Sequence, residues 1–146
     1  MLANDIRVVL VYIASVPRDA NWDGTSTKVV DHNTRKEKLA IVVFDRVQAH
    51  YFGNPNDEAV NGHPLHARGL NPCDTSEVSP SGWIADLERM NSVHAYHDPK
   101  VFAESHHYVF AFHDTLFEIV CTSFSVNVVQ GSVSSASRMA LDSLEG

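Results

Sequence analysis

The sequence predicts an α+β fold: an antiparallel or mixed sheet with helices packed on one face, ending in a hairpin and a short C-terminal helix. Three observations predict it. Residues 6–13 (IRVVLVYI) are a nearly continuous β-branched apolar run, and residues 107–124 pair with themselves as a hairpin. Between them, Ser79-Pro80 and Asp98-Pro99 are helix-start signals followed by apolar residues. The regular alternation of strand and helix that a doubly wound nucleotide-binding fold requires is missing.

Taken in order, residues 6–13 read as a strand buried on both faces. Residues 15–37 are polar and turn-rich, with Pro17, Asp23-Gly24 and Asn33, and read as a long excursion. A second strand spans about 39–52. Its first half is apolar on both faces, and its second half alternates, placing Arg46, Gln48 and His50 in a polar stripe. A strand this long is expected to bend or bulge near Asp45. Residues 53–80 hold Pro55, Gly62, Pro64, Gly69, Pro72 and Pro80 without a sustained period. A loop of that length inside a compact domain is uncommon and often functional.

Ser79 then reads as an N-cap with Pro80 at the first helical position, and Trp83, Ile84, Leu87 and Met90 carry the helix to about 92. Asp98-Pro99 opens a shorter helix through about 105, with Val101 and Phe102 as its apolar contacts. With Asp114-Thr115 as the hairpin turn, Phe112 faces Phe117, Phe110 faces Ile119 and Tyr108 faces Cys121, all on one face. Residues 126–129 extend the sheet. Ser134 or Ser135 caps the terminal helix, with Ala136, Met139, Ala140 and Leu144 on one side.

With 146 residues the chain reads as one domain, 1–146, large enough to bury roughly 70% of its unfolded surface without a disulfide or metal. The formal charge of −7 argues against nucleic acid or an anionic membrane as partner, since both require clustered cations. Arg35, Lys36 and Lys38 are the only basic cluster, Glu37 interrupts it, and a solvated loop is expected there. The apolar stretch 6–14 is too short to span a bilayer and lacks the flanks of a signal peptide. Cys73 and Cys121 are far apart and form no disulfide or zinc pattern; Cys121 reads as a small core residue. Cytoplasm is the expected compartment.

Nine histidines make the chain histidine-rich, so metal binding is weighed first. His63 with His66, and His94 with His97, are the weak metal candidates; no HExxH or paired-cysteine pattern supports them, and no cofactor is required. On the hairpin, His107, Val109, Ala111 and His113 share the face opposite the aromatics with Leu116, Glu118 and Val120. The same turn puts Glu118 opposite Ala111 and diagonal to His113, a His–Glu pair able to do acid/base work or simply to hold the sheet. The strongest candidate is the loop 53–66. There Asn54, Asn56, Asp57, Glu58, His63 and His66 offer donors and acceptors on a backbone fixed by glycine and proline. Asp57 and Glu58 equally suit the acidic first turn of a short helix. The stripe Arg46, Gln48, His50 leads into this loop and suggests one continuous pocket wall. Gly-x-Ser-x-Gly, GxxxxGK[ST] and GxGxxG are absent.

The segments FGNPNDEAVNGHPL (52–65) and HYVFAFHDTLFEIV (107–120), with Trp83, Asn91, His94 and His97 between them, resemble a pattern in small, uncharacterised microbial proteins. The resemblance covers roughly residues 39–124 and implies no activity, fold or cofactor.

Three functions fit these residues. The first is binding of a small polar ligand in a pocket between the sheet and the 53–66 loop. The second is an acid/base or divalent-metal-assisted enzyme using His63, Asp57, Glu58 and, on the hairpin, His113 and Glu118. The third is a protein-interaction module, with a homodimer formed through an exposed sheet edge or apolar face.

Overall fold

The structure is a computed structural model in which residues 1–15, 32 and 37–145 are described. The excursion expected over 15–37 lies almost wholly outside the described residues, as do Arg35 and Lys36. In chain order the strands are β1 (Leu2–Ala3), β2 (Arg7–Ser15), β3 (Glu37–Asp45), β4 (Ala49–Gly53), β5 (Thr75–Glu77), β6 (His106–Ala111), β7 (Leu116–Cys121) and β8 (Ser123–Gly131). The helices are α1 (Gly82–Asn91), α2 (Pro99–Ala103) and α3 (Val133–Glu145). The α+β class is as predicted, but among the described residues the strands form two four-stranded sheets in place of one, β1-β2-β3-β8 and β4-β7-β6-β5. The chain forms two compact units, residues 1–45 with 124–146, and residues 46–123.

In the first unit β2 and β3 pair antiparallel, from Arg7↔Asp45 to Ile13↔Leu39. Val9, Leu39 and Ile41 on one face form a core cluster with Ala136 and Ala140 of α3, whose small side chains let the helix lie close to the sheet. Val8, Leu10, Ala40, Val42 and Phe44 on the other face are buried as well. The continuous apolar runs of β2 and β3 follow from this two-sided burial. Glu37 is buried and opens β3, so the solvated loop expected there gives way to strand. Ser132, not Ser134 or Ser135, caps α3: its Oγ accepts from the Ser135 N–H at 3.1 Å. Ala136 and Ala140 define the buried line, and Met139, expected on that side, is exposed.

The single strand expected over 39–52 does not exist. β3 ends at Asp45, Arg46 adopts a left-handed φ of 52°, and the chain re-enters as β4 of the other sheet. The bend predicted near Asp45 is thus a complete break.

In the second unit the β6–β7 hairpin pairs His106↔Cys121, Tyr108↔Ile119, Phe110↔Phe117 and Ala111↔Leu116. The turn centres on His113-Asp114, closed by the Phe112 N–H donating to the Thr115 carbonyl at 2.9 Å. It lies one residue earlier than expected, which slides the strands by two. A two-residue slide preserves which face each side chain takes, so the aromatic face survives while every cross-strand partner changes. β5 pairs with β6 through Ser76↔Val109, a strand that the turn-rich composition of 53–80 concealed.

Ser81, not Ser79, caps α1: its Oγ accepts from the Ile84 N–H at 3.1 Å, and Pro80 precedes the cap. Asp98 caps α2 through the Lys100 N–H, as its Asp-Pro signal predicts. The 53–72 segment is not structureless. It holds two short 3-10 helices, Asp57–Gly62 and His66–Arg68, and its Val60, Leu65 and Leu70 pack on Val109, Ala111 and Leu116 of the hairpin.

Candidate functional site

Glu118 is the single charged residue on a hairpin face otherwise built of valine, leucine, alanine and histidine. The observed register places Val109 opposite it on β6 and Tyr51 opposite it on β4. His107, one pair along from Val109, becomes its diagonal neighbour, in the place expected for His113. His107 Nε2 lies 2.8 Å from Glu118 Oε2. From the other side the packed 53–72 segment delivers His63, whose Nε2 lies 2.9 Å from Glu118 Oε1. One carboxylate therefore receives two imidazoles, one per oxygen.

The far ring nitrogens fix the direction of these bonds. His63 Nδ1 accepts from the Leu65 N–H at 3.1 Å, so its ring proton sits on Nε2 and is donated to Glu118. His107 Nδ1 lies 2.9 Å from Ser81 Oγ, which already accepts from Ile84. The carboxylate of Glu118 can only accept, so His107 donates through Nε2–H, and in the neutral ring Nδ1 then accepts from the Ser81 hydroxyl. Ser81, His107 and Glu118 form a continuous hydrogen-bonded run, and His63 donates to the same carboxylate from the other side. His107 is buried and the Trp83 ring meets it edge-on, with centroids 5.2 Å apart and planes at 77°.

Burial works to raise the Glu118 pKa, but the hydrogen bonds from His107 and His63, with the electrostatic attraction of the two rings, outweigh it and bring the group below the ordinary carboxylate value. Glu118 is thus an ionised, largely enclosed acceptor. It opens onto a cleft of about 280 Å³ that it lines together with Tyr51 and Trp83. The Tyr51 hydroxyl donates to the Asn54 carbonyl at 2.9 Å, and the ring covers Gly53, where a Cβ would stand 2.8 Å from Tyr51 Oη. Glycine at 53 is what lets this aromatic wall lie against the strand.

The other predicted site residues are placed as follows. His113 is in the turn, 76% exposed, with Nδ1 at 3.2 Å from Asp57 Oδ2. Its pKa is raised by its own backbone hydrogen bond first, then by Asp57 and Asp114. Asp57 and Glu58 occupy the first turn of the 3-10 helix, capped by Asn56, whose side chain accepts from the Ala59 N–H at 3.2 Å. His66 Nδ1 bonds the Leu70 carbonyl. His50 is exposed on the face opposite Tyr51 and Glu118, and Arg46 and Gln48 lie before β4 begins. The expected continuous wall of Arg46, Gln48, His50 and the loop is therefore not formed; odd positions, Ala49, Tyr51 and Gly53, face the site. Gln48 and His94 instead border a separate cleft with Asn91, Tyr96 and Asp98. His94 Nδ1 accepts from the Tyr96 N–H, and His97 Nδ1 bonds Asn91 Oδ1 at 2.9 Å. Among the described residues no group of three or more His, Cys, Asp or Glu is arranged to hold a metal ion.

Of the predicted residues, His63 and Glu118 are brought together, and so, separately and at the exposed turn, are Asp57 and His113. His107, Ser81, Tyr51 and Trp83 were not anticipated as site residues. A lone glutamate in the apolar alternation of a central strand was the available signal, because a carboxylate there must find donors. No family model, curated protein or solved structure matches this chain. Among the described residues no helix is long and apolar enough to cross a membrane.

Proposed function

We propose that residues 46–123 form a small-ligand-binding module, with Glu118 as the recognition group and Tyr51 and Trp83 as the walls. The observation that carries this reading is an ionised carboxylate, held by His63 and His107, at the edge of an aromatic-walled cleft. Convergent polar groups in a partly apolar concavity are the usual mark of a ligand site. The cleft, at about 280 Å³, suits a ligand smaller than most drug-sized molecules. The loop 53–66 enters through His63 rather than through Asp57 or Glu58. A cytoplasmic location is consistent with the cysteine usage and is part of the same proposal.

A ligand-observed NMR screen of small polar fragments tests it. Hits are expected to lose binding in Trp83→Ala and Glu118→Gln; hits that bind both variants unchanged overturn the reading.

One observation favours a second reading, acid/base catalysis. The Ser81–His107–Glu118 relay has the hydrogen-bond distances of a proton-transfer chain. It is joined to the serine through Nδ1 and to the acid through Nε2, and Ser81 is occupied as a helix cap. Loss of turnover of a candidate substrate in both Ser81→Ala and His107→Asn, with ligand binding retained, would select catalysis over binding alone.

A further inference from the structure

We propose that the cleft takes a small organic cation, an alkylammonium or its methylated form. This assignment rests on the ligand-binding reading above and names its ligand class. Three features of the cleft argue for it.

The charge is the first. Glu118 presents a carboxylate whose two oxygens each receive one imidazole N–H, at 2.9 Å from His63 and 2.8 Å from His107. A carboxylate has about four lone-pair positions, so acceptor capacity remains on a group that lines the cleft. The groups holding it ionised are the two histidines, and both spend their Nε2 protons on it. A neutral ligand can gain a hydrogen bond there; an alkylammonium gains the same bond and offsets the enclosed negative charge, and its fully methylated form offsets that charge without the bond.

The walls are the second. Among the described residues Tyr51 and Trp83 line the cleft beside Glu118, and both carry aromatic rings, the group whose faces attract a cation. Aromatic walls beside a carboxylate suit an ammonium better than an anion or a purely apolar group. The chain is acidic overall, −7, which favours approach of a cation.

Pre-organisation is the third. The Tyr51 ring is pinned by its hydroxyl bond to the Asn54 carbonyl and by lying over Gly53. Trp83 is set by its edge contact with the buried His107 ring. A ligand would not have to order these walls on entry, which preserves affinity.

The test uses the full chain and two probes of matched size, tetramethylammonium and tert-butyl alcohol. The readout is the Trp83 indole N–H signal in proton–nitrogen correlation spectra, assigned with Trp83→Phe. Tetramethylammonium is expected to move that signal saturably, and the neutral alcohol to bind about tenfold more weakly or not at all. Glu118→Gln should weaken the cation about tenfold. Because Glu118 is partly enclosed, Tyr51→Leu is the second variant: Tyr51 is exposed, its loss spares the histidine–carboxylate cluster, and it too should weaken the cation. If cation and alcohol move the signal equally, and Glu118→Gln leaves both unchanged, the cleft binds ligands but the cation assignment is wrong. If neither probe moves the signal at tens of millimolar, the cation assignment also fails. The fragment screen then decides separately whether the cleft binds anything.

Discussion

At the scale of single residues the candidate site turns on Glu118. Removing its side chain leaves the buried His107 Nε2–H without an acceptor, a loss of about 1–3 kcal/mol. Glu118→Ala should therefore lower the urea midpoint by a corresponding amount, and Glu118→Gln, which keeps one acceptor oxygen, by less. The pH dependence has a definite sign. The folded pKa of Glu118 lies below its ordinary value of 4.5, so its contribution is fully present above that value. It is lost as pH falls through the lower, folded value. The acid limb of a stability-versus-pH curve should flatten in Glu118→Gln, and an unchanged limb would remove Glu118 from the account. His113 acts in the opposite sense. Its pKa is raised above 6.5, so what it contributes is present below that value and fades as pH rises through the folded one. His113→Ala should erase that slope near neutrality, measured in the same titration. His63 and Glu118 were both legible as polar residues of interest in the sequence. Their meeting was not, because they are 55 residues apart and joined only by the packing of the 53–72 segment.

At the scale of elements, that packing depends on Val60, Leu65 and Leu70 lying on the hairpin. Leu70→Ala opens a buried position and should cost about 2–5 kcal/mol. It should also release His63, seen as faster hydrogen exchange at the Leu65 amide that bonds its ring. The Ser81 cap serves both α1 and His107, so Ser81→Ala should lose about 1 kcal/mol or somewhat more, against a typical cap. α2 was legible through its cap, Asp98 before Pro99, whereas α1 and α3 were legible through their apolar spacing, and their caps, Ser81 and Ser132, differ from the serines expected. The hairpin faces were legible as well, since alternation is local. Its register was not. Turns at His113-Asp114 and at Asp114-Thr115 give identical faces, and only the choice between them decides whether His107 or His113 meets Glu118. The break within 39–52 is not legible in the sequence because the apolar pattern runs through Asp45, while the break depends on the left-handed backbone at Arg46.

At the scale of the whole molecule, the candidate site lies entirely within the contiguous unit 46–123, on β4, β6, β7, α1 and the segment between β4 and β5. Its framework strands, β6 and β7, are the two inner strands of their sheet. Their amides should be among the slowest to exchange in the unit, and those of α2 among the faster, since inner-strand bonds open only with larger unfolding. The site thus sits on the inner strands, flanked by the 53–72 segment, which apolar contacts, the Asp57 N–H bond to the His113 carbonyl and two imidazole–carboxylate contacts, His63–Glu118 and His113–Asp57, hold on the hairpin.

The central claim is that one carboxylate is gripped by the Nε2 protons of two histidines. Long-range proton–nitrogen correlation of the imidazole rings, assigned with His63→Asn and His107→Asn, tests it most directly. The account predicts that at neutral pH both rings carry a proton on Nε2, and that both signals shift in Glu118→Gln. A proton on Nδ1 of His63 with Nε2 bare, or a His107 ring indifferent to the loss of Glu118, would contradict it.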